Sequence, residues 1–320
     1  MDGVIIDVSA SYRDVVRRTA GLFFQPARGA KKLPSPLFEL ADLAAVKQSG
    51  GLNNDWDLTY AVISLFFSLI DNPNPQANRD PWSRYRKTID CCDATPIIEF
   101  IQSTDRPLAS LLKQHGRYKD PFIDSLYQGD VGSGNIIKQI FQEIYLGETL
   151  FRSTYNLDAE IYRGEGYILR EKVLIDRQLL EDLAANNVLA IATGRPRAEA
   201  EYPLNHFRLG QYFAQILTLD DCLAEEKRIF EQEGRTVSLS KPDPFMLDAI
   251  VTKCREPFDN FYYVGDMPDD MLAAAGAGAN CKGIGLLITA PDKKSLAKNL
   301  TAAGADYIID SFEALSGIVL

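Results

Sequence analysis

The chain has 320 residues, of which 46% are hydrophobic and 24% are charged, a composition ordinary for a globular protein with a sizeable core. Its formal net charge of −10 and the lack of a dense Lys/Arg run argue against nucleic-acid binding, which requires a basic face. No apolar run reaches the roughly 20 residues of a membrane span, and the length indicates two domains or one domain with a large insertion.

The N-terminal residues 1–16 contain no basic stretch followed by an apolar one, so they do not resemble a signal peptide. The five cysteines are odd in number and form no CxxC pair, which argues against a disulfide framework and a zinc site. The two histidines exclude a His-rich metal site. We therefore expect a protein of a reducing compartment, either cytoplasmic or the mature form of an organelle protein.

Residues 22–170 are predicted to form an inserted, mainly helical domain. Helical patterns occur at residues 57–69 and 136–145, and proline-rich breaks interrupt residues 71–81. The region shows no convincing alternation of apolar and polar residues, the pattern typical of strands.

Residues 1–21 and 171–320 are predicted to form an α/β core. Apolar runs typical of strands alternate there with helical patterns. The predicted strands are residues 188–193, 261–266, 283–289 and 307–309, and the predicted helices are residues 176–186, 244–254, 269–277 and 293–302. Such an order indicates a doubly wound parallel sheet, a Rossmann-like core whose functional site lies at the carboxyl ends of the strands.

Three places at or near the ends of these strands carry residues suited to chemistry. Thr193 and Gly194 offer a hydroxyl and an open backbone N–H to a phosphate oxygen, and we expect Gly194 and Arg195 to contact the substrate. Lys241, directly before a proline and a helix start, can present its ammonium to an anion. Residues 265–270 hold three carboxylates, which repel one another unless a cation such as Mg²⁺ lies among them.

Each of these features has a simpler interpretation. Thr-Gly after a strand is usually a turn, Lys-Pro commonly precedes a helix, and Asp269 with Asp270 can cap a helix and favour its dipole. Their common location at one edge of one sheet, in a fixed order, favours a functional site.

The ordered set of residues 2–7 (DGVIID), Thr193-Gly194, Lys241-Pro242 and Gly265-Asp266 with Asp269 and Asp270 resembles the four motifs of the haloacid dehalogenase-like superfamily. The resemblance covers the α/β part from end to end. It is closest to members that carry a helical cap inserted after the first motif.

The resemblance implies a role for each matching residue. Asp2 would protonate the leaving group and then activate water, Thr193 would hydrogen-bond the phosphoryl group, and Lys241 would neutralise the nucleophile and the phosphate. Asp266 would bind Mg²⁺ with the nucleophile and the Asp2 carbonyl, and Asp270 would support the metal or Lys241. Magnesium and lysine would offset the repulsion between two anions.

The first motif departs from the family pattern, which is Asp-x-Asp-Gly. If Asp2 is the second aspartate, the nucleophile falls immediately before Met1, and reading Asp2 as the nucleophile would leave Val4 at the acid/base position. The resemblance also implies a preceding apolar strand at the centre of the sheet, each buried side chain of which is worth about 1.5–3 kcal/mol. We therefore expect that Met1 is internal to a longer natural chain and that the chain as numbered is inactive.

Residues 50–57 (GGLNNDWD) are a second candidate site, within the inserted region. Two interpretations are open for Asn53, Asn54 and Asp55. They either cap the helix that begins near Asp57 or recognise the leaving group of a polyol or sugar phosphate. Arg13 either holds an anionic substrate or lies on a solvated helix face.

The sequence thus predicts a magnesium-dependent phosphatase that acts on a small phosphorylated metabolite. Dehalogenase chemistry is disfavoured because the acidic cluster indicates a metal that carbon–halogen displacement does not need. The alternative is a non-catalytic relative that binds a phosphorylated metabolite. Substrate and oligomeric state stay open.

Overall fold

The computed structural model describes residues 1–47, 54–71, 73, 75–254, 258, 260–278 and 280–319. The chain divides into two compact units. Unit 1 comprises Met1–Val8 and Glu171–Leu320, and unit 2 comprises Ser9–Arg170. No helix in the described ranges is long and apolar enough to cross a membrane.

The regular elements in the described residues of unit 2 are all helices. Its α-helices are α1 (Tyr12–Phe23), α2 (Leu40–Lys47), α3 (Asp55–Phe67), α4 (Pro81–Cys91), α5 (Thr95–Ser103), α6 (Pro107–His115), α7 (Pro121–Ser125) and α8 (Ile136–Tyr155), and short 3-10 helices lie at Ala30–Lys32 and Tyr167–Arg170. Helix α1 belongs to this unit because it packs against α3 and α8. The sequence had placed residues 1–21 with the α/β part.

The core of unit 2 is rich in aromatic side chains. Tyr12 of α1 stacks on Tyr145 of α8, with ring centroids 4.1 Å apart, and offset aromatic pairs of this kind stabilise beyond their buried area. The buried carboxylate of Glu143 accepts hydrogen bonds from the backbone N–H groups of Glu160, Ile161 and Tyr162. These backbone donors compensate its buried charge.

Unit 1 alternates short strands with helices. The strands are β1 (Ile6–Asp7), β2 (Lys172–Val173), β3 (Ala190–Ala192), β4 (Gln215–Leu217), β5 (Phe261–Gly265), β6 (Cys281–Leu286) and β7 (Tyr307–Ile309). The helices are α9 (Arg177–Asn186), α10 (Arg197–His206), α11 (Leu219–Glu233), α12 (Phe245–Lys253), α13 (Pro268–Gly276), α14 (Lys293–Ala302) and α15 (Phe312–Val319), with a 3-10 turn at Gly210–Tyr212.

The strands in the described residues of unit 1 form three separate sheets. Strands β3 and β4 pair in parallel, β5, β6 and β7 form a second parallel sheet in that order, and β1 pairs antiparallel with β2. The predicted fold class, an α/β core with an inserted mainly helical part, is confirmed. The prediction of one continuous parallel sheet differs from the structure, in which β3 and β5 are not hydrogen-bonded neighbours.

Candidate active site

The first residues of unit 1 form a tight turn that fixes Asp2. The carbonyl of Met1 accepts hydrogen bonds from the N–H groups of Ile5 and Ile6, at 2.8 and 3.1 Å, and Gly3 donates to the Ile6 carbonyl at 2.9 Å. Gly3 has a φ of +65°, a conformation that glycine adopts at no steric cost. These hydrogen bonds fix the position of the backbone at Asp2.

Asp266, directly after β5, packs against the backbone of this turn. A Cβ atom added to Gly3 would lie 2.0 Å from Oδ2 of Asp266, which is far inside van der Waals contact. The structure therefore brings the end of β5 to the residue beside Asp2. Only glycine leaves room for that approach.

Replacing Gly3 with alanine is expected to destabilise unit 1 by about 2–3 kcal/mol. A left-handed residue costs about 1–2 kcal/mol, and the added methyl group would push Asp266 away. Urea unfolding followed by circular dichroism measures the loss. Gly210→Ala is the matched control, since nothing lies within 4 Å of its added Cβ atom, and its change should stay within about 0.5 kcal/mol. Equal stability of the two variants would contradict the contact.

Asp2 is held by a buried arginine. Nε of Arg195 lies 2.7 Å from Oδ1 of Asp2, and the same guanidinium forms a two-pronged pair with Glu171 at 3.0 and 3.1 Å. It also donates to the Glu199 carbonyl at 3.1 Å. The side chains of Arg195 and Glu171 are 1% and 0% exposed. Since a buried charge is tolerated only when paired, Glu171 is the counter-charge of this arginine.

These contacts revise the expected position of Arg195. The sequence predicted a substrate-contacting residue, whereas the structure directs the guanidinium to two carboxylates and a backbone carbonyl. Nothing in the local sequence signals Glu171 as a partner, because it lies 24 residues earlier in a charged segment. The arrangement makes Arg195 a residue that orients Asp2.

Thr193 and Gly194 follow β3 as predicted. The N–H of Thr193 donates to the Leu217 carbonyl at 3.0 Å, and its Oγ1 accepts from the N–H of Arg195 at 3.3 Å. A Cβ atom added to Gly194 would meet nothing within 4 Å. The segment after β3 thus has a positioned hydroxyl beside open space, which suits a phosphoryl oxygen.

Lys241 and Asp270 form a buried ion pair. Nζ of Lys241 lies 2.6 Å from Oδ1 of Asp270, and the Tyr263 hydroxyl lies 3.0 Å from Nζ and 3.1 Å from Oδ1. Asp270 also accepts from the N–H of Met267 at 3.1 Å, so it caps α13 and binds the lysine at once. A Cβ atom on Gly265 would lie 2.3 Å from Cβ of Asp270, so glycine allows this close packing.

Burial and the charge of the partner have opposite effects on the pKa of each residue in this pair. Burial disfavours the ammonium of Lys241, but the Asp270 carboxylate outweighs it and raises the pKa of Lys241 well above 10.5. Burial likewise pushes the pKa of Asp270 upward, and the lysine outweighs it and holds that pKa below 3.8. Burial raises the pKa of the Tyr263 hydroxyl. Both partners of the pair are therefore charged at neutral pH.

Direct contacts connect most of the predicted residues. Asp266 lies against the backbone at Gly3, beside Asp2. The Tyr263 hydroxyl links the Lys241–Asp270 pair to the carbonyl of Ala192, directly before Thr193.

The expected magnesium ligands were Asp266, Asp2 and Asp270. Asp2 is paired with Arg195 and Asp270 with Lys241. Among the residues that the structure describes, no group of three His, Cys, Asp or Glu side chains is arranged to hold a metal ion. Magnesium is usually held by one or two carboxylates together with several waters, so Asp266, which lies against the backbone at Gly3, stays a predicted ligand.

The second predicted site lies in unit 2. Asn54 caps α3, where its side chain accepts from the N–H of Trp56 at 2.9 Å, and Asp55 pairs with Lys47 at 3.0 Å. Asn53 lies outside the described residues. Arg13 lies in the first turn of α1, half-buried. The capping interpretation accounts for Asn54, and a substrate role for these four residues stays a prediction.

Tyr263 is a site residue that the sequence reasoning missed. It lies inside an apolar strand pattern, where an aromatic side chain is expected to be part of the core. Its hydroxyl is 3.2 Å from the Ala192 carbonyl of β3, as well as beside Lys241 and Asp270. The hydroxyl that distinguishes tyrosine from phenylalanine was the only available signal.

Comparison with known proteins assigns the chain to a family. The family model of haloacid dehalogenase-like hydrolases matches residues 1–278. A phosphoglycolate phosphatase of Photobacterium profundum is 26% identical over 135 residues, which cover 42% of this chain and 50% of that protein. The chain thus matches about half the length of this curated relative.

Two solved structures share the fold. An X-ray structure from the Northeast Structural Genomics Consortium is similar with a TM-score of 0.64 and 21% identity, over 99% of this chain and 96% of that one. A phosphatase from Thermococcus thioreducens is similar with a TM-score of 0.50 and 18% identity, over 94% and 96% of the two chains. At such identities the likeness concerns the fold alone.

Proposed function

Because this chain belongs to the haloacid dehalogenase-like hydrolase family, we propose that it is a phosphatase that hydrolyses a small phosphomonoester through an aspartyl-phosphate. The observation that carries the proposal is a set of contacts: Asp266 lies against the turn beside Asp2, and Tyr263 links the Lys241–Asp270 pair to the end of β3. A lysine ammonium near these carboxylates is suited to bring two anions together.

The attacking carboxylate is proposed to belong to an aspartate directly before Met1. This position is two residues before Asp2, the spacing that the resemblance implies. Its carboxylate would also supply an oxygen ligand for magnesium, a metal that would offset the negative charge at the phosphoryl group. Asp266 and the carbonyl of Asp2 are the proposed further ligands.

The remaining residues have proposed roles in two steps. The aspartate oxygen attacks phosphorus, the bond to the leaving oxygen breaks, and Asp2 gives its proton to that oxygen. Water then attacks phosphorus, Asp2 takes its proton, and inorganic phosphate leaves as the carboxylate is regenerated. Thr193 and the N–H of Gly194 would hold phosphoryl oxygens, and Lys241 would offset their charge.

Unit 2 is proposed to act as the cap that selects the substrate. Its polar candidates are Asn53, Asn54, Asp55 and Arg13, which offer donors and acceptors for a hydroxylated or acidic leaving group. The Photobacterium relative is named for phosphoglycolate, so 2-phosphoglycolate belongs in the first substrate panel beside sugar phosphates.

A second candidate function is the binding of a phosphorylated metabolite without catalysis. One observation favours it: two of the three expected metal ligands, Asp2 and Asp270, are paired with Arg195 and Lys241. The two functions differ in whether a carboxylate placed before Met1 creates activity.

The test compares three chains: the chain as numbered, the chain extended by a short apolar segment ending in Asp, and the same extension ending in Asn. We expect hydrolysis of an aryl phosphate with Mg²⁺ only with the Asp ending, because only that carboxylate can attack phosphorus. Release of inorganic phosphate is the measurement. A folded Asp-ending chain that is inactive on a broad phosphate panel would leave the binding function as the better account.

A further inference from the structure

The guanidinium of Arg195 is held at each of its nitrogens within unit 1. Nε donates to Oδ1 of Asp2 at 2.7 Å, and Nη2 lies 2.7 Å from the same oxygen. Nη1 and Nη2 bind the two oxygens of Glu171 at 3.1 and 3.0 Å, and Nη1 also donates to the carbonyl of Glu199 at 3.1 Å. Because a guanidinium is planar and presents its donors in a rigid fork, these contacts fix both its position and its plane.

The two carboxylates on this arginine differ in exposure. The side chain of Glu171 is 0% exposed, whereas that of Asp2 is 35% exposed. A fully buried carboxylate has no access to a reactant, so Glu171 does not contact a substrate. Of the two, Asp2 is the carboxylate that a substrate can approach.

Strand pairing places Glu171 beside the segment that contains Asp2. Glu171 directly precedes β2, whose Lys172 lies opposite Asp7 of β1 in an antiparallel pair. Strand β1 follows the tight turn at Asp2. The pairing therefore fixes the backbone at Glu171 relative to that turn, although the two residues are far apart in the sequence.

The side chain of Asp2 depends on Arg195 for its direction. Hydrogen bonds of the tight turn fix the backbone, but a carboxylate still rotates about its side-chain bonds. A proton donor must lie within about 2.6–3.2 Å of the atom that receives the proton, and a misplacement of about 1 Å can lower a rate by about a hundredfold. The plane of the guanidinium thus decides whether Asp2 is oriented for proton transfer.

We propose that Glu171 is a positioning residue of the phosphatase reaction: it holds the guanidinium of Arg195, which directs the carboxyl group of Asp2 toward the leaving oxygen. This inference rests on the proposed function, in which Asp2 protonates that oxygen. A purely structural role of Glu171 has a different consequence. Its loss would lower the amount of folded protein equally for all substrates, whereas the loss of positioning affects most the leaving groups that need a proton.

The experiment compares two leaving groups in the chain extended by an apolar segment ending in Asp. A nitrophenyl phosphate releases a stable phenolate, whereas an alkyl phosphate releases an alkoxide that needs a proton. We expect Glu171→Gln to lower kcat/KM by at least about tenfold for the best alkyl phosphate of the panel and by less than about threefold for the aryl phosphate. The ratio of the two values does not depend on the folded fraction, so a structural role would leave it unchanged.

A second variant covers the case in which Glu171→Gln does not fold. Glu171→Asp keeps the negative charge beside Arg195 but retracts the carboxylate by one methylene group, and it should lower the same ratio by at least about threefold. Glu201→Gln is the matched control. It removes the carboxylate of a surface pair with Arg197, in which the two atoms are 3.6 Å apart and the glutamate side chain is 49% exposed, and it should leave both kcat/KM values unchanged.

The outcomes separate this inference from the proposed function. A parent chain that hydrolyses both esters, with the same ratio in both Glu171 variants, would overturn the positioning role and leave the phosphatase proposal intact. A folded parent active on the aryl phosphate alone would also overturn the positioning role, and one active on neither ester would overturn both proposals. A lower ratio in the Glu171 variants, but not in Glu201→Gln, supports the inference.

Discussion

Replacing Lys241 with methionine is expected to lower the free energy of unfolding of unit 1 by about 3–5 kcal/mol. The ammonium lies 2.6 Å from Oδ1 of Asp270, and the two side chains are 14% and 5% exposed. Removing one partner leaves a buried carboxylate without its counter-charge, which costs far more than the loss of a surface pair. Urea unfolding followed by circular dichroism measures the change.

Two further variants test this explanation. Lys227→Met removes a lysine that is 75% exposed and should change stability by less than about 0.5 kcal/mol. The double variant Lys241→Met/Asp270→Asn removes both charges but keeps an oxygen acceptor for the N–H of Met267. It should lose much less than the sum of the two single variants. A Lys241→Met variant as stable as Lys227→Met would show that the pair contributes nothing.

The same pair implies a defined pH dependence. The folded pKa of Asp270 is lowered from 3.8, so its stabilising contribution is present above 3.8 and is lost as the pH falls through the folded value. The folded pKa of Lys241 is raised above 10.5, so its contribution is present below 10.5 and is lost as the pH rises through the folded value. The stability of the wild type relative to the double variant should therefore decrease as the pH falls below 3.8 and as it rises above 10.5.

Changing Asp2 to asparagine is expected to lower kcat by roughly 10²–10⁴-fold, the usual contribution of a general acid–base group. The prediction applies to the extended chain that carries an aspartate before Met1. Asparagine is nearly isosteric and can still accept the hydrogen bond from Nε of Arg195, so the fold and the KM should change little. Steady-state kinetics on the best substrate of the panel separate kcat from KM.

Asp310→Asn is the matched control for this variant. Asp310 is an exposed carboxylate of unit 1 that follows β7. The Asp310→Asn variant should therefore have the same kcat as the extended chain without this change. A loss of less than about threefold in the Asp2→Asn variant would exclude Asp2 from proton transfer, because such a group contributes at least about a hundredfold.

Much of unit 1 could be predicted from local patterns. The predicted strand at residues 261–266 corresponds to β5, and the predicted helix at residues 293–302 coincides with α14. Apolar runs bounded by turn residues, and helices that begin after a capping Asp such as Asp292, are local signals. The family followed from the order of the polar residues near the strand ends.

Other features had no local signal. Strand β4 is three residues long and carries no alternation that a period of two could reveal. Glu171 is a charged residue in a charged stretch, and only the fold shows that it is buried against Arg195. Tyr263 looked like a core aromatic, and only the fold brings its hydroxyl to Lys241.

The sequence by itself determined the class of fold, four of the strands and four of the helices of unit 1, and which chemical groups follow them, because these depend on side-chain periodicity and turn chemistry within short stretches. The tertiary structure alone decided that Arg195 orients Asp2 and that Lys241 is bound to Asp270. Pairing and burial depend on which distant segments meet and on how far water is excluded there, and both are properties of the folded chain.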